Sequence, residues 1–337
     1  MRPILQPHSI DRLPVSLLTG FLGSGKTTLL NRLLRHPGMA RTAVVINEFG
    51  DIALDQHFVE KSDGEVTVLA NGCLCCDVQG DLQGVVGTLF GKRERGEVPG
   101  FDRMLIETTG LADPAPIMQM LLNQPLVVDN FRLDAVVTTV DALHGMRQLR
   151  EHPEAVKQAA LADRLVVTKT DLAGAAQAAA LVSELARLNA RAPVLRAHEE
   201  DIAPSRLFGA DDEEFVRDRP FAGESPHGHL ADIATFSLTI DEPVEWGGFS
   251  RWLTALKIRH ADRLLRVKGI LNVAGVEDPV AIHGVHHVFH PPVSLPRRAS
   301  RDPRSRIVFI TRGLSREAVE ADWHAARRQA IQMECEP

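Results

Sequence analysis

A chain of 337 residues, 24% charged and 44% hydrophobic, can bury a sizeable core and is long enough for two soluble domains. Its net charge of -6, with no dominating basic stripe, argues against nucleic acid as a partner, and no run of roughly twenty apolar residues is present to span a bilayer. His8, Asp11 and Arg12 interrupt the opening residues before an apolar export segment can form, so the cytoplasm is the expected compartment.

The first predicted strand, Pro14-Val15-Ser16-Leu17-Leu18-Thr19, runs into Gly20-Phe21-Leu22-Gly23-Ser24-Gly25-Lys26-Thr27-Thr28. That spacing is G-x-x-x-x-G-K-[ST], set between a strand and the helical run Leu29 to Leu34, the context in which it cradles phosphate. Glycines let the backbone curl so that successive N–H groups face phosphate oxygens, and the helix offers its positive end to the same anion. Lys26 can then reach the β- and γ-phosphates of a nucleotide, and the Thr27 hydroxyl can ligate Mg²⁺.

A second short apolar strand, Thr42 to Asn47, ends in Asn47-Glu48-Phe49-Gly50-Asp51. Those carboxylates suit Mg²⁺, or a softer ion where sulfur ligands lie nearby. Asp55 is a candidate for positioning water. After the strand-like Val66 to Leu69 comes Cys73-Leu74-Cys75-Cys76, which gathers three of the four cysteines within four residues. Clustered thiols in a reducing compartment indicate metal or redox chemistry, and three soft donors suit Zn²⁺ or another thiophilic ion. A bridge between the neighbours Cys75 and Cys76 would be strained. Three ligands leave one tetrahedral position for Glu48, His57, water or a partner's ligand, an open shell suited to a metal that is handed on. Redox-sensing thiols and small buried apolar residues are the rival readings, and Cys335 is a bystander.

A helical pattern over Val78 to Phe90 leads to the strand Met104-Leu105-Ile106 and then to Glu107-Thr108-Thr109-Gly110. Past a strand in a phosphate-loop protein, Glu107 can hold the Mg²⁺ shell or orient the attacking water, and the Gly110 amide can contact a γ-phosphate. Helical Pro116 to Leu122, strand Ala135 to Val140, helical Glu154 to Leu161 and strand Arg164 to Val167 follow. Thr168-Lys169-Thr170-Asp171 comes next, where guanine-specific enzymes carry Asn-Lys-x-Asp. An aspartate at Asp171 accepts hydrogen bonds from guanine N1–H and the 2-amino group, and Lys169 would lay its stem along the base, so GTP is favoured over ATP. Thr168 stands where asparagine is usual. With helical Ala175 to Leu188, the alternation predicts an α/β fold: a mostly parallel sheet with helices on both faces, as in P-loop NTPases, with ligands at the strands' carboxyl ends.

The pattern stops near residue 209, giving a first domain over 1–208. Residues 209–230, acidic and then rich in Pro, Gly and His, read as a linker in which His227 and His229 are solvated. Residues 231–328 read as a small α+β domain on an antiparallel sheet. Its runs are Ile233 to Leu238, helical Phe249 to Ile258, Leu264 to Val273, Val280 to Phe289, Arg306 to Thr311, and a last helix capped by Ser315 and ending near Arg328. Residues 329–337 form a tail. The basic run Arg297 to Arg306 is interrupted by Pro303 and reads as a solvated loop. His283, His286, His287 and His290 read as sheet surface, because residues four apart on one strand lie about 13 Å from each other and need a bend to meet.

Taken together, Gly20 to Thr28, Asn47 to Asp51, Gly72 to Cys76, Glu107 to Pro114 and Thr168 to Asp171 resemble the CobW family of P-loop GTPases, and Leu264 to Leu271 resembles that family's C-terminal domain. The resemblance covers nearly the whole chain and implies GTP hydrolysis coupled to loading a client metalloprotein, with the motif Cys73, Cys75 and Cys76 carrying the zinc; the reading of the residues above adds Glu48 as a candidate fourth zinc ligand and Thr27 on Mg²⁺. Cobalt or iron are alternative cargoes, a thiol-sensing nucleotide module is a further alternative, and a homo-oligomer is compatible with the sequence.

Overall fold

The structure, a computed structural model, describes residues 12–47, 59–60, 66–69, 74–77, 82–197, 202–209, 232–295 and 303–335. The chain divides into two compact units, with the break between Ala210 and Asp211.

The first unit begins with β1 (Leu13–Gly20), α1 (Lys26–Leu34) and β2 (Thr42–Asn47). Three short strands follow, β3 (Val59–Glu60), β4 (Val66–Leu69) and β5 (Leu74–Asp77), then α2 (Leu82–Glu94) and β6 (Arg103–Thr108). Next come α3 (Ala115–Asn123), α4 (Pro125–Val128), β7 (Phe131–Asp141), α5 (Gly145–Glu151), α6 (Pro153–Ala160) and β8 (Arg164–Thr168). The unit closes with α7 (Ala175–Leu188), β9 (Val194–Arg196) and α8 (Pro204–Leu207). These strands form one nine-stranded sheet in the order β3-β4-β5-β2-β6-β1-β7-β8-β9. From β5 to β9 every pairing is parallel, while β3 and β4 add antiparallel at one edge.

The near-continuous apolar runs explain the layout. Every residue of β8 is buried, and β1 and β6 are buried from Val15 and Met104 onward, as parallel strands covered on both faces must be. Helix α1 turns Leu29, Leu30, Leu33 and Leu34 onto Leu18, Val44, Ile46 and Leu105 of the central strands. The expected α/β architecture is therefore present. The sequence pattern missed β3, β5, β9, α4, α5 and α8, each too short to show a period. It also did not anticipate that Val66–Leu69 pairs antiparallel.

The second unit contains β10 (Ile233–Ile240), α9 (Trp246–His260), β11 (Leu264–Leu271), β12 (Val280–Val285), β13 (Val288–Phe289), β14 (Val293–Ser294), β15 (Ser305–Arg312) and α10 (Arg316–Cys335). Its antiparallel sheet runs β10-β15-β11-β12-β13, with β14 also on β12. Phe236, Leu238, Val267, Ile307 and Phe309 line one face and meet Phe249, Trp252 and Leu256 of α9 and Val319 and Trp323 of α10. Ser315 caps α10 by accepting the Ala318 N–H at 3.3 Å, but the helix continues to Cys335 and not to the expected end near Arg328.

A second correction concerns the histidines. The expected single run Val280 to Phe289 is a hairpin, with His286 at φ 53 in its turn. The bend that a straight strand lacks is thus present: the His290 N–H donates to the His283 carbonyl at 2.9 Å, making these two residues cross-strand neighbours. No group of three or more His, Cys, Asp or Glu among the described residues is arranged to hold a metal ion.

Candidate nucleotide-binding site

The site is built where β1 ends and α1 starts. Gly20, Gly23 and Gly25 all have positive φ, at 144°, 70° and 87°. Gly20 also faces Thr139 so closely that a Cβ would lie 2.3 Å from its Oγ1, so glycine is required there twice over. Gly25 is the N-cap of α1 in the left-handed conformation, which aims the helix start at the loop. Lys26 is buried, and its Nζ donates to the Gly20 carbonyl at 3.1 Å, folding the side chain back over the loop it follows.

Glu107, fully buried near the end of β6, accepts a hydrogen bond from Thr27 Oγ1 at 2.8 Å. The two are 80 residues apart in the chain and are joined because β1 and β6 are adjacent parallel strands, with Leu18 opposite Glu107. A hydroxyl and a carboxylate held together are hard oxygen donors of the kind Mg²⁺ takes. Beyond β6, Gly110 lies directly on the loop: a Cβ there would come 2.6 Å from Leu22 Cδ2 and 2.8 Å from the Leu22 N and Cα. Gln158 of α6 holds that turn, its Nε2 donating to the carbonyls of Gly110 at 3.1 Å and Ala112 at 2.9 Å. Phe21 is stacked on His152, with ring centroids 4.6 Å apart.

At the end of β8, consecutive residues reach into the same loop. Thr168 Oγ1 donates to the Ser24 carbonyl at 2.7 Å, and Lys169 Nζ donates to the Gly23 carbonyl at 2.7 Å. Lys169 has φ 57, a left-handed value that costs a non-glycine residue on the order of 1 kcal/mol and persists where the surroundings fix it. Thr168, the departure from asparagine, therefore has a job its hydroxyl performs directly. Ser24 Oγ and Thr139 Oγ1 are 2.7 Å apart, and Thr108 Oγ1 donates to Thr19 Oγ1 at 2.8 Å, so the floor of the loop is a set of small buried hydroxyls.

The structure thus brings together Gly20, Phe21, Leu22, Gly23, Ser24, Gly25, Lys26, Thr27, Glu107, Gly110, Thr168 and Lys169. Thr28 sits in the first turn of α1, and Asp171 is exposed, three residues past Thr168 at the end of β8. Glu48, Asp55, His57 and Cys73 lie outside the described residues, as do the side chains of Cys75 and Cys76. The backbone of those two cysteines runs in β5, parallel to β2, with Val44 opposite Cys75 and Val45 opposite Cys76. One residue went unnoticed in the sequence: Asp141, buried at the end of β7, whose Oδ2 accepts from Lys169 Nζ at 2.8 Å. A carboxylate closing the run Val136-Val137-Thr138-Thr139-Val140 was the available signal.

A parallel α/β sheet with this loop at its carboxyl edge defines a P-loop nucleotide-binding protein. The chain belongs to the CobW/HypB/UreG family: residues 14–196 match its nucleotide-binding domain and residues 233–327 match the cobalamin synthesis protein cobW C-terminal domain. It is 34% identical over 324 residues to "Zinc chaperone YjiA" of Escherichia coli K12, an alignment covering 95% of this chain and 100% of that protein. It is 30% identical to "Zinc chaperone CobW" of Pseudomonas aeruginosa, over 94% and 92% of the two chains. The crystal structure of Zn(II)-bound YjiA GTPase from E. coli superposes with a TM-score of 0.73 at 33% identity, covering 94% of this chain and 99% of that one.

Proposed function

We propose that this protein is a GTP-hydrolysing metallochaperone that binds zinc through Cys73, Cys75 and Cys76 and transfers it to a client metalloprotein. The observation that carries this reading is the Thr27–Glu107 hydrogen bond, which ties the start of the phosphate-loop helix to the end of β6. In the backbone registers, Val45 faces Ile106 on one side and Cys76 on the other, and Ile46 faces Glu107 and Asp77. Cys76 is therefore one row short of Glu107 and two strands away, roughly 10 Å in the sheet plane. A nucleotide-dependent change at Glu107 has only β2 to cross before it meets the cysteine strand.

The residues divide the work by chemistry. Lys26 exchanges its hold on the Gly20 carbonyl for the β- and γ-phosphates, and the loop amides take the remaining phosphate oxygens. Mg²⁺ would be held by Thr27 with Glu107 beside it, and supplies neutralisation of the triphosphate charge. Glu107, with Asp55 as a further candidate, orients the water that attacks the γ-phosphorus, giving GDP and phosphate. The Gly110 amide reads whether the γ-phosphate is present, and its contact with Leu22 transmits the difference to the turn that Gln158 holds. Asp171 and Lys169 read guanine. Glu48 completes the zinc shell, residues 209–230 link the GTPase domain to residues 231–328, which hold the client, and the cytoplasm is where the exchange takes place. The family membership and the zinc chaperones among the relatives support the cargo assignment.

Equilibrium dialysis with Zn²⁺, Co²⁺ and Fe²⁺, with no nucleotide, GTP·Mg²⁺ or GDP, tests the proposal. The expected result is tight zinc binding that is lost in Cys75→Ser and differs between the GTP and GDP forms. Zinc affinity that is the same in all three nucleotide states would overturn the coupling, and a GTP-dependent preference for cobalt would change the cargo.

A further inference from the structure

We infer that Asp141 is a positioning residue for purine recognition, acting through Lys169, and the inference rests on the GTP reading given above. Asp141 is the last residue of β7 and only 1% exposed. Its Oδ1 accepts the Leu143 N–H at 2.7 Å and its Oδ2 accepts Lys169 Nζ at 2.8 Å. Its own backbone is fixed by the pairing of Asp141 with Thr168 across β7 and β8, and by the Ala142 N–H donating to the Thr168 carbonyl at 3.0 Å. The carboxylate therefore has one orientation, set by the strand it terminates and by the turn that follows.

Lys169 is held between this anion and the Gly23 carbonyl of the phosphate loop. A neutral carbonyl alone leaves a lysine stem free to change rotamer, whereas a buried carboxylate adds a charge-assisted bond and fixes the ammonium. Once the ammonium is fixed, the four-carbon stem has one path, and that path is the platform on which a base would lie. Asp141 therefore acts on neither the base nor the phosphates directly but through the ammonium it holds. It selects the conformation of the residue that does.

The prediction is a base-selective loss. In Asp141→Asn, of nearly the same shape, KM for GTP should rise roughly tenfold while kcat changes by less than about twofold. ATP lacks the guanine edge that Asp171 would hold against this platform, so it depends less on where the stem lies; its weaker binding should change little and the GTP:ATP preference should shrink. In a Lys169→Met background, which keeps an apolar stem and removes the ammonium, Asp141→Asn should add almost nothing. Equal losses for GTP and ATP, or an undiminished effect in Lys169→Met, would overturn the inference by making Asp141 a merely structural residue. If Asp141→Asn does not fold, Lys169→Met alone decides: an unchanged GTP:ATP preference refutes the route through Lys169. A wild-type protein that prefers ATP would instead refute the GTP reading itself.

Discussion

Replacing Thr168 by valine removes one hydroxyl and almost no volume, leaving the Ser24 carbonyl of the phosphate loop without the donor that holds it at 2.7 Å. The second acceptor of that hydroxyl, Val140 O at 3.4 Å, is at the limit of a hydrogen bond and contributes little. Thr168 is 6% exposed, so water cannot replace the lost donor without rearrangement. A buried acceptor left unmade costs about 1–3 kcal/mol, and the neutral partners here place the change toward the lower half, about 1–2 kcal/mol. At about 1.4 kcal/mol per tenfold, GDP affinity should fall roughly five- to thirtyfold if the loop conformation held by Thr168 is the one that binds phosphate. Competition against a fluorescent guanine nucleotide measures the affinity. Thermal unfolding should show a loss of about 2–4 °C per kcal/mol for a unit of this size. Thr311→Val is the matched control, because Thr311 Oγ1 makes an equally buried bond to the Leu314 carbonyl at 2.6 Å in the other unit. It should lower stability and leave GDP binding unchanged. A Thr168→Val protein that binds GDP as tightly as wild type would refute the claim that Thr168 braces the phosphate loop.

Gly110→Ala places a carbon 2.8 Å from the Leu22 backbone, so GTP turnover should fall at least tenfold while GDP affinity stays within a few-fold, as single-turnover kinetics beside equilibrium binding would show. Trp252, 1% exposed and in ring contact with Phe249, Phe309 and Trp323, anchors the second unit's core. Trp252→Ala should cost that unit about 3–5 kcal/mol in a denaturant titration. Glu245 caps α9 by accepting the backbone N–H groups of Gly248 and Gly247, and these bonds hold its carboxyl below the ordinary glutamate value. A depressed folded pKa contributes stability that is present above the unfolded value of about 4.3 and lost as pH falls through the folded one. Glu245→Gln should flatten the acid limb of the second unit's stability between pH 5 and 3 by this linkage, and an unaltered limb would show that the cap carries none of it.

Features whose spacing is dictated by chemistry could be read from the chain alone. The loop Gly20 to Thr28 must follow a strand and open a helix, and long apolar runs such as Ala135 to Val140 have no solvent-facing alternative in a parallel sheet. What escaped was decided by tertiary pairing. Val66–Leu69 has the same composition whether it pairs parallel or antiparallel, and its direction comes from its partner β5. His286 adopts positive φ without being glycine, asparagine or aspartate, so no turn signal marked the hairpin that sets His283 beside His290. Thr168 read as a weakened motif until its acceptor in the phosphate loop was known. Asp141 carried only the weak signal of a carboxylate closing an apolar run, because the partner that gives it a role lies 28 residues further along the chain.

A peptide plane is rigid, so its carbonyl and its amide point in opposite directions. Since the Thr168 hydroxyl grips the oxygen of the Ser24–Gly25 peptide, it also decides where the nitrogen of that peptide, belonging to Gly25, aims its hydrogen. Thr168 of the segment after β8 therefore steers the Gly25 N–H of the phosphate loop through one amide group, with no intervening atoms that can flex. Slackening either end turns the same plane, so under the proposed function the contacts to base and phosphate should loosen together.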